Sequence, residues 1–221
     1  MSHPIVTYDD ARDAIGQLPS LGPRPTATNI RALVVDLVDK LTIIPSEQAP
    51  DLGYAGMAEQ EATYALSTNT PWTNWPNPGA HRATDPNWTT TEQKDADVLY
   101  DANKRVFDSE ANVRRAVISA LNEAVPRKYK RAGGNAIGVK IYKPSDCPRT
   151  ILNVLRTNYG KLGPAEKTEN ERKWSEAWNP SEPIEELFDR LKECYVLALV
   201  NKPEYTQDQM IDKALMVIQS I

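Results

Sequence analysis

Residues 174–221 read WSEAWNPSEPIEELFDRLKECYVLALVNKPEYTQDQMIDKALMVIQSI, and this stretch decides the fold class. Asn179 or Ser181 can cap a helix here, a proline at 180 or 183 suits its first turn, and Asn201 and Pro203 mark its end. Apolar residues then recur three and four positions apart, which is the period of one helix face. These are Ile184, Leu187, Phe188, Leu191, Cys194, Tyr195, Ala198 and Leu199.

A second helix follows closely in the same stretch. Thr206 and Gln209 have the spacing of a capping box. A broad apolar stripe continues through Met210, Ile211, Ala214, Leu215, Val217, Ile218 and Ile221. Two amphipathic helices joined by a short loop predict a helical hairpin, which other helices of the chain must cover.

The rest of the chain repeats this helical period between proline-rich connectors. We expect further helices over residues 9–18, 26–41 (with Thr26 or Thr28 as cap), 57–66, 91–107, 109–124, 148–159 and 164–174. Ser109 is expected to cap the helix that begins beside it, and the only segment with strand-like alternation is 139–142. The sequence therefore predicts an all-α, multi-helix bundle.

Composition changes suggest two small helical subdomains. The first covers residues 1–128 and includes a Pro/Trp-rich loop, 67–90, and the second covers residues 148–221. A basic segment containing Gly133 and Gly134, residues 129–147, is expected to form a hinge between them. Three tryptophans of the loop, Trp72, Trp75 and Trp88, either pin it onto the helical core or form a contact surface for another subunit.

The basic residues around the hinge are the candidates for contact with nucleic acid. They are interleaved with Tyr129 and Tyr142, so they could hold a phosphate backbone and a stacked base. The alternative is a solvated linker between acidic helices. The candidate residues are Arg127, Lys128, Lys130, Arg131, Lys140 and Lys143.

Charge and composition narrow the function classes. The 221 residues carry a net charge of -4, which argues against a dedicated nucleic-acid binder. The two histidines, His3 and His81, and the two cysteines, Cys147 and Cys194, show no spacing typical of a catalytic or zinc site. We therefore expect no catalytic residue, no metal or other cofactor, no small-molecule substrate and no membrane partner. Cysteine usage and the lack of a long apolar run indicate a cytoplasmic protein.

Several motifs, in one order, resemble the Gag capsid region of copia-type LTR retrotransposons, in particular the group found in diatoms and related microbial eukaryotes. The resemblance runs through nearly the whole chain. The motifs are PTATNIRAL at 25–33, YAGM at 54–57, YAL at 64–66, WTNWPNPG at 72–79, NVRRAVISALN at 112–122, NYGKLGP at 158–164, WNPSEPIEELF at 178–188 and QMIDKAL at 209–215.

The resemblance implies a helical, non-enzymatic structural protein that assembles with copies of itself into virus-like particles around the RNA of the element. It implies subunit contacts through aromatic and apolar residues, for which the candidates are Trp72, Trp75, Trp88, Trp178, Phe188 and Ile221. The sequence lacks the zinc knuckle often found in this class, which leaves the basic segment as the candidate RNA contact. The chain stops on an apolar helix at Ile221, whereas sequences of this class usually continue, so the resemblance implies either a fragment of a longer chain or a degenerate copy.

Two other functions remain open at the level of sequence. A helical adaptor or nucleic-acid-binding module would use the basic segment and bind RNA in a salt-dependent manner. A small α-helical enzyme would need a concave pocket with converging titratable groups.

Overall fold

A computed structural model describes residues 5–23, 25–81, 87–130, 142–198 and 207–219. Within these ranges the chain forms eight α-helices and no β-strand, so the all-α prediction is confirmed. The helices are α1 Tyr8–Ile15, α2 Ala27–Thr42, α3 Glu61–Thr68, α4 Thr90–Ala124, α5 Pro148–Tyr159, α6 Pro164–Ser175, α7 Ile184–Ala198 and α8 Gln207–Gln219.

Four of the eight described helices begin at residues whose chemistry suits the free N–H groups of a first turn. Thr7 and Thr89 cap α1 and α4 as reciprocal capping boxes with the acidic residues three positions later. At α2 the hydroxyl of Thr26 accepts the N–H of Asn29 at 3.2 Å, which identifies Thr26 as the cap. Helix α6 begins with Pro164 at its first position, where a missing N–H costs nothing.

Helix α4 corrects the prediction of two separate helices over 91–107 and 109–124. It runs without interruption for 35 residues, and its sequence contains no glycine or proline that would end it. Ser109 is not a helix cap. It lies inside α4, where its hydroxyl accepts the N–H of Val6 at 3.1 Å and ties the chain before α1 to the long helix.

Two smaller differences concern short segments. The helix predicted over 57–66 begins at Glu61, because Gln60 is extended, and it is preceded by a 3₁₀ turn at Ala55–Met57. The predicted end of α7 at Asn201 and Pro203, and the predicted cap at Thr206, lie outside the described residues. Of the candidate strand 139–142, only Tyr142 is described, and it is not in a strand.

The described residues fall into two compact units. The larger contains the chain up to Gly22 and Ala32–Val154, and its core is formed by apolar residues of α1, α2 and α4. The smaller contains Pro23–Arg31 and the chain from Leu155 onward. Because most of the predicted hinge lies outside the described residues, its role as a linker remains a prediction.

A cluster in the smaller unit joins α6, α7 and α8. Trp174 of α6 packs with three residues of α7 and two of α8, and every member of the cluster is buried. The remaining members are Leu187, Leu191, Cys194, Ala214 and Val217. The predicted pairing of the last two helices therefore holds for the described parts of α7 and α8. Among the described residues, no helix combines the length and the hydropathy needed to span a bilayer.

Candidate functional site

Helices α7 and α8 expose large apolar side chains beside their buried stripes. Ile184 and Phe188 lie one turn apart on α7, and Ile211 and Leu215 lie one turn apart on α8. Their exposed fractions are 38, 44, 46 and 50% in that order. We call these four residues the α7–α8 apolar surface. Its members extend the apolar stripes of α7 and α8 that form the cluster of the smaller unit. Neighbouring helices cover only part of the width of each stripe, so these four residues stay exposed.

The sequence predicted Phe188 as a contact residue but did not single out Ile184, Ile211 or Leu215. The helical period of the apolar residues cannot show that these three are exposed, because Leu187 and Ala214 follow the same period and are buried. Trp178 is half-buried against the cluster, and Ile221 lies outside the described residues.

Trp72 has a different environment from the one a contact surface requires. It is 9% exposed and packs edge to face against Tyr54 and Tyr64, with ring centroids 6.2 and 5.8 Å apart. A Cβ at Gly56 would lie 2.5 Å from Trp72 Cε3, so only glycine allows this close approach. Trp72 therefore pins the Pro/Trp-rich loop onto the larger unit, and we remove it from the candidate contact residues.

Trp75 is held to α4 through a buried carboxylate. Glu110 is 1% exposed and its Oε2 accepts the backbone N–H of Trp75 at 2.7 Å, while Oε1 pairs with Arg114. Burial raises the pKa of Glu110, and the Trp75 N–H and the Arg114 guanidinium oppose that shift. The indole of Trp75 itself is half-buried, so it keeps a partly accessible surface.

Trp88 lines a cavity of about 510 Å³ between the loop and the first turns of α4. Within it His81 Nε2 lies 3.2 Å from Asp97 Oδ1, and Tyr100 packs against the His81 ring at 4.7 Å between centroids. Sequence reasoning missed this pair because its members are sixteen positions apart and follow no motif. Among the described residues that line the cavity there is no serine, threonine or cysteine.

The candidate nucleic-acid residues divide into two groups. Arg127, Lys128 and Lys143 are exposed, and Lys128 Nζ lies 4.8 Å from the centre of the Tyr129 ring. Lys130 is instead 3% exposed, and its ammonium donates to the carbonyl of Asn122.

Burial and the nearby positive charge of Arg127 lower the pKa of Lys130. We therefore withdraw Lys130 as a phosphate contact, because its ammonium is used inside the fold. Arg131 and Lys140 lie outside the described residues.

No group of three or more His, Cys, Asp or Glu side chains able to hold a metal ion occurs in the part of the chain that the structure describes. Cys147 is exposed and Cys194 is buried, and burial raises the pKa of the Cys194 thiol above its usual value. Comparison of the chain with protein-family models, with curated proteins and with solved structures gives no match.

Proposed function

We propose that this chain is a structural protein that associates with copies of itself, as a capsid-like region of a retrotransposon Gag protein. The observation that carries the proposal is the α7–α8 apolar surface, defined by Ile184, Phe188, Ile211 and Leu215. Exposed apolar residues grouped on neighbouring elements are typical of protein interaction sites. The motif resemblance supports the choice of a second copy as the partner, since two of its motifs, 178–188 and 209–215, contain this surface.

The size of the surface favours a weak contact that many copies repeat. Each of the four side chains is already about half buried, so covering it contributes about 1 kcal/mol. Two copies together would gain about 8 kcal/mol from both surfaces, against association costs of about 4–15 kcal/mol. A single contact of this kind is weak, and particles would form because each copy makes several contacts at once.

Charge around the surface determines how association should depend on salt. Glu185, Glu186 and Asp189 are exposed on α7, and the whole chain carries a net charge of -4. Copies that approach through this face repel one another at low ionic strength. We therefore expect association to increase as salt is raised from about 0.01 M to about 1 M, over which the screening length falls from about 30 to about 3 Å.

Light scattering after size exclusion, over a series of protein and salt concentrations, tests the proposal, with negative-stain microscopy of the largest fractions. We expect Phe188→Asp combined with Leu215→Asp to keep the protein monomeric under conditions in which the wild type associates. Leu66→Asp is the matched control, because Leu66 is 84% exposed but belongs to α3. A wild type that stays monomeric throughout, or association lost in the Leu66 variant alone, would refute the assignment.

Binding of RNA by the exposed basic residues forms a second part of the proposal. Arg127 and Lys128 are exposed beside Tyr129 directly after α4, and Lys143 is exposed beyond the undescribed segment 131–141. Neutralising all three should weaken binding to single-stranded RNA and reduce the slope of log K against log salt by about 2, at ~0.7 per contact. A Lys130→Ala variant should leave that slope unchanged, since its ammonium contacts Asn122. An unchanged slope in the triple variant would exclude this surface.

A further inference from the structure

The cavity of about 510 Å³ beside the first turns of α4 combines aromatic rings with a carboxylate. It lies within the larger unit, and its described lining includes no member of the α7–α8 apolar surface and none of the exposed basic residues. Its volume falls within the range of about 300–1,000 Å³ that is usual for ligand sites. The function proposed above does not account for this cavity.

Three rings line the cavity, and two of them are fixed by contacts within the protein. The hydroxyl of Tyr100 donates to the carbonyl of Gly79 at 3.1 Å, and the Tyr100 ring packs edge to face against His81 with 4.7 Å between the centroids. The third ring belongs to Trp88, directly before the N-terminal cap of α4. Aromatic faces attract cations, and tryptophan does so most strongly. Rings that are already held in place lose little freedom when a ligand binds.

Asp97 supplies an accessible carboxylate to the same cavity. Its Oδ1 has two neighbours, the Nε2 of His81 at 3.2 Å and the Nε2 of Gln93 at 2.9 Å. Its Oδ2 accepts no hydrogen bond from the residues that the structure describes, and the Asp97 side chain is 42% exposed. One carboxylate oxygen is therefore open to a donor that enters the cavity.

The charge around the cavity favours a cation. Among the described lining residues Asp97 is the only acid, there is no lysine or arginine, and His81 is positive only when it is protonated. The first half of α4, residues 90–108, carries five carboxylates against three basic side chains. The negative potential of these groups attracts a positively charged ligand toward the lining.

From the rings, the open carboxylate oxygen and the charge we infer that this cavity receives the guanidinium group of an arginine side chain from a partner protein. A guanidinium is planar and stacks on aromatic faces, and its N–H groups donate to a carboxylate. It is also more weakly hydrated than an ammonium, so it enters a partly aromatic cavity more readily than lysine does. The guanidinium would contact the rings of the lining and donate to Oδ2 of Asp97.

Nuclear magnetic resonance of the whole chain, titrated with Nα-acetyl-arginine methylamide, provides the primary test. The citrulline counterpart is the matched control, because it has nearly the same shape and no charge. At about pH 8, where an ordinary histidine is neutral, the arginine probe should shift the indole N–H resonance of Trp88, which Trp88→Phe identifies. The resonance of Trp174, in the smaller unit, should stay in place. We expect saturation with a midpoint on the order of 1 mM for a ligand of this size. Equal shifts with the citrulline probe, or no saturable shift, would overturn the inference.

Variants of the carboxylate supply a second measurement. Asp97→Asn keeps an acceptor for Gln93 and removes the charge, so it should weaken binding of the arginine probe about tenfold or more. Asp95→Asn is the control, since Asp95 is exposed on α4 and is not among the described lining residues. Thermal unfolding of each variant verifies that it folds. Equal weakening by both substitutions would show that the probe binds the acidic surface of α4 in general, and would overturn the site.

A third probe, propylguanidinium chloride, distinguishes the two sources of a guanidinium group. It carries the charged group of arginine without the peptide groups of a protein chain. We expect the arginine probe to bind at least as tightly as propylguanidinium does. Binding of propylguanidinium about tenfold tighter would show that the cavity accepts a free small cation, and would overturn the assignment to a partner protein.

Discussion

Glu110 is the residue whose replacement gives the most informative change in stability. Its carboxylate is almost fully buried in the middle of α4 and holds the backbone of Trp75 through a 2.7 Å hydrogen bond. It also pairs with Arg114, whose side chain is 20% exposed. The interaction joins the Pro/Trp-rich loop to the long helix across 35 positions of sequence.

The two substitutions Glu110→Ala and Glu110→Gln separate the hydrogen bond from the charge. Alanine removes both acceptors, which leaves the Trp75 N–H unpaired and creates a small cavity. A hydrogen bond to a charged group is worth about 1.5–3 kcal/mol, and a lost buried partner adds to that. Because Arg114 can turn toward solvent, we expect Glu110→Ala to cost about 2–4 kcal/mol. Glutamine keeps an acceptor for the Trp75 N–H, so Glu110→Gln should stay within about 1 kcal/mol of wild type.

Urea unfolding, followed by far-ultraviolet circular dichroism and by tryptophan fluorescence, measures these differences. The two signals should first be compared, because two compact units need not unfold in one step. Fluorescence reports both units, because Trp72, Trp75 and Trp88 belong to the larger unit and Trp174 and Trp178 to the smaller one. The transition of the larger unit should shift most in the alanine variant, and that of the smaller unit should stay in place. Equal destabilisation by alanine and glutamine would refute the reasoning, since it would show that the charge and not the acceptor stabilises the loop.

The pH dependence of the same pair provides an independent check. Burial raises the pKa of Glu110, so the folded protein binds this proton more tightly than the unfolded chain does. The associated stabilisation is complete below the ordinary carboxyl range and is lost as the pH rises through the raised pKa. Glutamine does not titrate. The stability of Glu110→Gln relative to wild type should therefore increase as the pH rises above the ordinary carboxyl range of about 4.

Three further predictions concern the larger unit. Gly56→Ala should destabilise the protein by about 1–3 kcal/mol in urea unfolding, because its Cβ would lie 2.5 Å from the Trp72 ring. Asn122→Ala should speed amide exchange at Tyr142, whose backbone N–H and C=O each bond the Asn122 amide at 3.0 Å. Burial, with the charge of Glu110, raises the pKa of Tyr54 to about 12. In an ultraviolet titration of the wild type this tyrosine should therefore ionise last, and that last step should be missing from the Tyr54→Phe variant.

Local signals in the sequence were sufficient for most helices. Thr26, Pro164 and the apolar period of α7 each specify a helix start or face by interactions within a few residues, and the structure contains those helices. Ser109 failed as a signal because serine is favoured at helix caps but also occurs inside helices, where its hydroxyl can bond another partner. What decided its role was a hydrogen bond to Val6, 103 positions away, which no local pattern encodes.

The candidate sites were less predictable because they depend on contacts between distant segments. Nothing near Glu110 in sequence indicates that its carboxylate accepts an N–H from the loop. The sequence analysis grouped Lys130 with the other cations that could contact RNA. In the structure Lys130 is buried, because its ammonium donates to the carbonyl of Asn122 and lies over the ring of Tyr142. Charge and residue type therefore identified which groups exist, but not which of them remain accessible.

The motifs that carry the Gag resemblance fall into two groups, those whose residues are buried in the larger unit and those whose residues are exposed on α7 and α8. Tyr54, Gly56, Tyr64 and Trp72 come from three separate motifs and meet in one buried aromatic cluster. These motifs therefore specify the packing of the larger unit. The motifs at 178–188 and 209–215 instead contain the exposed apolar residues of α7 and α8. If copies associate through the motifs at 178–188 and 209–215, a charged substitution at Phe188 should abolish association without lowering the stability of the larger unit. Gly56→Ala, by contrast, should lower the stability of the larger unit.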